Sequence, residues 1–99
     1  MIYVIATLAV KPGSQAELIE AAMPCIAATR AETGCLAYDL HTSASDPLTL
    51  VFVEQWESAD CLVPHGKAEH FRAFGRVARD CLSAPAKVEI ITPQSVETR

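Results

Sequence analysis

The chain has 99 residues, 51% of them hydrophobic and 20% charged, which suits one globular domain and is too little for two separate cores. Eight basic against twelve acidic residues give a formal charge of −4, which excludes a surface built for nucleic acid or an anionic membrane, since either needs clustered Lys and Arg. No stretch approaches the roughly 18–20 continuous apolar residues that a membrane span requires.

Residues 2–10, IYVIATLAV, are β-branched and almost continuously apolar, the pattern of a strand buried on both faces. The opening MIYVIATLAVKPG has neither a basic n-region nor a small-residue cleavage site, so it reads as the first strand of a mature cytoplasmic protein. KPG breaks that strand, and Ser14 with Glu17 supplies an S-x-x-E capping box that opens a helix. Leu18, Ala22, Cys25, Ile26 and Thr29 recur at helical spacing as its buried stripe. Pro24 predicts a kink, and Gly34 a stop near Thr33–Gly34.

CLAYDLHT (35–42) reads as a second strand, with Leu36, Tyr38 and Leu40 on one face and Cys35, Ala37, Asp39 and His41 on the other. SASDP makes a turn, and LTLVFVEQWE (48–57) returns as the third strand of an antiparallel hairpin. Ser58 caps a short helical turn that Pro64 interrupts, a longer helix runs from about Gly66 to Leu82, and Lys87–Thr92 forms a last strand before a polar tail over 93–99. The order is β-α-β-β-α-β, an α+β, ferredoxin-like fold in which one four-stranded antiparallel sheet carries both helices on a single face. Strands one and three lack clean alternation, so the second face of the sheet also wants burial. That predicts a homodimer packed sheet to sheet.

Chemistry concentrates in EQWESADCLVPHGKAEHF (54–71). Glu54, Trp56, Phe52 and Leu50 alternate onto one face of the third strand. A Trp there is more often core than site, but a carboxylate beside it must find a partner or a pocket. On the last helix His70, Phe71, Phe74, Val77, Ala78 and Cys81 share a stripe, while Glu69 and Arg72 pair on the solvent side. His65 sits between Pro64 and Gly66, where a break in the helix re-aims its side chain. His65 and Glu69 have i, i+4 spacing, but His70 then lies about 140° away on a continuous helix, and H-E-x-x-H is absent, so no metal site is expected. An imidazole beside an apolar cavity walled by Trp56, Phe52, Phe71 and Phe74 suits general-base work on an aromatic, weakly acidic substrate. His41 faces the other way. The four cysteines show no C-x-x-C or zinc spacing and read as reduced, mainly structural thiols. Nucleophilic triads, phosphate loops and dinucleotide fingerprints are missing, so no flavin or nicotinamide site is expected.

The segment EQWES followed by His65 and His70, preceded by ETGCLAYDL and VIATLAVKPG, resembles the antibiotic biosynthesis monooxygenase superfamily of small dimeric α+β barrels. It is most similar to the quinol monooxygenase branch, over nearly the whole chain. The resemblance implies cofactor-independent oxygenation: a quinol-type or polycyclic hydroxyaromatic is deprotonated between sheet and helices, and its anion reacts with O2. Trp56 falls on the family's pocket Trp, His65 and His70 on its two His positions, Glu54 on the acidic position before the Trp, and Tyr38 on the aromatic of strand two. The chain has no Asn, which disfavours the haem-degrading relatives, whose strand-one Asn would lie near Thr7. Lys67, Arg72 and Arg76 are the only nearby cations for an isomerase of phosphorylated substrates. The competing class is a non-enzymatic ligand-binding or stress-response barrel of the same fold. His65 is the first expectation for the base, with His70 second; Glu54, Phe52, Tyr38, Phe71, Phe74 and Trp56 are expected to bind substrate.

Overall fold

A computed structural model describes all residues 1–99. The elements are β1 (Ile2–Ala9), α1 (Gln15–Arg30), β2 (Cys35–Thr42), β3 (Thr49–Trp56), a 3-10 turn (Ala59–Cys61), α2 (Leu62–Lys67), α3 (Glu69–Cys81) and β4 (Lys87–Ile91). The four strands form one antiparallel sheet in the order β2-β3-β1-β4. This is the α+β, ferredoxin-like arrangement that the order of hydrophobic patterns predicts. No helix is long and apolar enough to cross a membrane.

Alternation decides which face is buried. Ile2, Val4, Ala6 and Leu8 of β1 pair with Trp56, Glu54, Phe52 and Leu50 of β3, and all eight are buried. α1 and α3 pack against each other over this face, and Leu18, Ala22, Cys25 and Ile26 of α1 join its core. Trp56, Leu18 and Leu50 are fully buried, and each such side chain contributes about 1.5–3 kcal/mol of transfer free energy. The other face of β1 is half-buried in the single chain. β4 is exposed along its whole length. Val88 and Ile90 pair with Ala6 and Val4 and so share the helix face, yet the helices leave them uncovered.

Several local expectations change. Ser14 does occupy the N-cap of α1 but makes no side-chain capping bond. α1 runs through Pro24, which is exposed, and ends at Arg30, with Gly34 (φ +83°) turning the chain into β2. Cys35 pairs with Trp56 and Ala37 with Gln55, so Leu36 is the extra residue of a β-bulge. That slip moves Cys35 onto the helix face, against the core, and leaves Leu36 exposed, the reverse of simple alternation. Pro64 does not interrupt a helix: it is the third residue of α2, in a first turn whose N–H groups lack partners in any case. The break lies at Ala68, whose extended backbone (φ −68°, ψ 141°) separates α2 from α3. The end of α3 is tied to the end of β1 by hydrogen bonds from Lys11 N to Cys81 O and from Ser83 N to Ala9 O.

Candidate active site

A carboxylate from the turn between α1 and β2 gathers both histidines. Glu32 is held by its own backbone, which donates to Thr29 O and accepts from Cys35 N. Its Oε2 lies 2.7 Å from His65 Nδ1 and 2.9 Å from His70 Nε2. Burial raises the Glu32 pKa, but the hydrogen bonds and charge of the two histidines outweigh it, and the net shift is downward. An ionised carboxylate only accepts, so both rings carry their protons on the nitrogens that face it. Five residues apart on one helix, His65 and His70 would point about 140° apart. The extended residue at Ala68 removes that constraint, and the ring centroids come to 6.3 Å.

His65 is the buried member of the pair, 5% exposed. Its ring packs among Trp56, Tyr38 and Phe71 at centroid distances of 5.0, 5.4 and 4.8 Å. With Nδ1–H donated to Glu32, the neutral ring keeps Nε2 free as an acceptor. No buried side-chain polar atom lacks a partner, so Nε2, which bonds no protein group, retains accessible surface. The space that the ring lines is an apolar cavity of about 350 Å³ between the sheet and the two later helices.

Thirteen of the seventeen residues lining that cavity are hydrophobic, so it takes a mainly apolar ligand of modest size. Phe52, Phe74, Phe71 and Tyr38 supply aromatic walls, and Val88 and Ile90 form the side toward the uncovered β4. Glu54 is the second polar group. It is 6% exposed, and Oε1 accepts a 2.9 Å hydrogen bond from Trp56 Nε1. Burial drives its pKa up, against the opposing pull of the Trp56 hydrogen bond and the charge of His65. Burial also pushes the Tyr38 hydroxyl far above its ordinary value, reinforced by Cys25, so this phenol stays protonated.

The residues singled out from sequence divide by place. His65, Glu54, Phe52, Tyr38, Phe71 and Phe74 line the cavity, while Trp56 and His70 do not. Trp56 has no exposed surface; instead of forming a wall it backs one, fixing Glu54 through its indole N–H and the His65 ring by packing. His70 points to Glu32, and His41 is exposed at the β2 edge. Glu69 pairs with Arg76 at 2.7 Å rather than with Arg72. All four cysteines are free thiols. Sequence reasoning missed Glu32, because nothing in AETG marks its acid as different from the chain's other carboxylates.

The family model described as "Antibiotic biosynthesis monooxygenase" matches residues 1–77. The chain is 32% identical over 88 residues to "Putative monooxygenase YcnE" of Bacillus subtilis (strain 168), covering 89% of this chain and 93% of that protein. It is also 32% identical over 90 residues to "Putative monooxygenase Rv0793" of Mycobacterium tuberculosis (strain ATCC 25618 / H37Rv), covering 91% of this chain and 88% of that one. The solved structure of Rv0793 superposes with a TM-score of 0.90 at 29% identity over 98% of each chain. A crystal structure described as an antibiotic biosynthesis monooxygenase gives a TM-score of 0.89 at 28% identity, covering 96% of this chain and 100% of that one.

Proposed function

The chain belongs to the antibiotic biosynthesis monooxygenase family, and from that premise we propose that it is a cofactor-independent monooxygenase, acting as a homodimer on a quinol-type or polycyclic hydroxyaromatic substrate with O2. The observation that carries this reading is the Glu32-held ring of His65 at the edge of an aromatic-walled cavity. His65 Nε2 takes the proton of a substrate hydroxyl, and Glu32 stabilises the imidazolium that forms, as the acid of a carboxylate–histidine pair does. Glu54 presents its second oxygen to the same space and orients the substrate. The aromatic anion, stripped of water by the apolar walls, gives one electron to O2. The resulting radical and superoxide combine at a ring carbon that bears hydrogen, forming a C–O bond to a peroxide. Loss of that hydrogen with cleavage of the O–O bond leaves a quinone carbonyl and one water. One oxygen atom enters the substrate, the other leaves as water, and the substrate supplies all the electrons.

Oxygen uptake tests this directly. Chelator-stripped protein mixed with an anthrone or a reduced naphthoquinol should consume O2 above the spontaneous rate, and His65→Ala should lower the catalysed rate about 10²- to 10⁴-fold. Glu32→Gln, which removes the carboxylate but keeps the shape, should lower it less. A wild-type rate equal to the spontaneous one, or an unchanged rate in both His65→Ala and His70→Ala, would count against an oxygenase and for a ligand-binding barrel.

A further inference from the structure

Behind the cavity, two imidazoles and a carboxylate from three separate chain segments put their ligand atoms within 4.8 Å of one another. Glu32 forms no ion pair with Lys or Arg; its ion-pair partners are His65 and His70. A Zn²⁺-type ion binds imidazole nitrogen and carboxylate oxygen at about 2.0–2.2 Å, which sets tetrahedral ligand atoms about 3.4 Å apart. From 2.7 and 2.9 Å, the two hydrogen-bonded pairs need to open by about 0.7 and 0.5 Å, while the two imidazole nitrogens, up to 4.8 Å apart, close by up to about 1.4 Å. The His65 ring is held by aromatic packing on three sides, so part of the ordering is done before any ion arrives. Side-chain exposures of 16% at Glu32 and 24% at His70 leave room for water at the remaining position.

We propose that Glu32, His65 and His70 bind a single Zn²⁺-type divalent ion, and that its occupancy silences the His65 base. Imidazole nitrogen with one carboxylate suits Zn²⁺ and its borderline neighbours rather than Ca²⁺ or Mg²⁺. Neither Glu32 nor His70 lines the cavity, so the ion reaches the substrate only through the His65 ring and acts as a regulator. An ion on Nδ1 displaces the proton that Glu32 had accepted. The neutral ring then carries its proton on Nε2 and no longer accepts one from the substrate. Metal binding stands on the cluster's geometry alone, whereas silencing rests on the base role proposed for His65.

Titration of chelator-stripped protein with Co²⁺, followed by displacement with Zn²⁺, separates the two. One ion per chain is expected, with d–d bands and no thiolate-to-cobalt charge transfer, which sets this site apart from the four free thiols. Glu32→Gln and His70→Ala should each weaken binding at least about tenfold, with His41→Ala unaffected and the thermal midpoints of all three confirming folded protein. No binding up to about 1 mM, a thiolate band, or unchanged affinity in both site variants overturns the ion site. Zn²⁺-loaded protein should lose oxygen uptake at least about tenfold relative to stripped protein, and equal rates overturn silencing. Stripped protein with no uptake at all overturns the base reading and silencing with it, while the Co²⁺ titration still decides the ion site.

Discussion

Glu54 is a carboxyl group held where its charge is poorly solvated. Its pKa is raised from the ordinary 4.5, chiefly by burial, so the folded protein keeps that proton to higher pH than the unfolded chain does. More protons bound in the folded state means that stability falls as pH climbs from about 4.5 through the raised value, and the deficit persists above it. Glutamine carries no charge to desolvate and still offers an oxygen to Trp56 Nε1. Glu54→Gln is therefore expected to raise the thermal midpoint at pH 7–8, with the gain shrinking as pH falls through the raised value toward about 4.5. A gain of equal size at both ends of that range would show that charge burial is not its cause. At this scale the sequence identified His65, Glu54 and the phenylalanines as residue types suited to the chemistry. It did not identify Glu32, whose importance lies in what its oxygen meets 33 and 38 positions further along the chain.

Elements meet at joints, and the joints set the site. Gly34 lies in the turn that carries Glu32, at φ +83°, and its carbonyl accepts from Glu57 N. A Cβ there would clash with Cys61 Sγ and adopt a backbone conformation that L side chains resist. Gly34→Ala should cost about 1–3 kcal/mol, read as a lower denaturant midpoint, and Gly34→Ala with Cys61→Ala should recover part but not all of it. Full recovery would place the whole cost in the clash and none in the backbone. The bounds of β2 were legible residue for residue, because alternation of Tyr38 and Leu40 with Asp39 and His41 is a local signal. Its bulge was not, since an extra residue shows only against a partner strand. Likewise Pro64 looked like the break between helices, whereas an ordinary alanine at 68 makes it.

The whole chain leaves apolar surface that a single copy does not cover. On the sheet face away from the helices, Ile5 pairs with Val53 and Thr7 with Val51, and Val53 is 38% exposed. For the proposed homodimer, a second sheet laid across this face would remove it from water at about 25 cal/mol per Å². Light scattering at micromolar concentration should give the mass of two chains, and a mass of one chain would sink the dimer. Local sequence determined the order of strands and helices, the buried stripe of α1, half of the one expected on α3 (Phe74, Ala78 and Cys81, with Phe71 left exposed), and the family resemblance, because periodicity and turn chemistry act over a few residues. Only tertiary structure decided that Trp56 backs the cavity rather than lining it, that Cys35 and Leu36 trade faces, and that Glu32 joins His65 and His70. Those outcomes depend on how distant turns are brought together by packing, and a one-dimensional pattern carries no term for that distance.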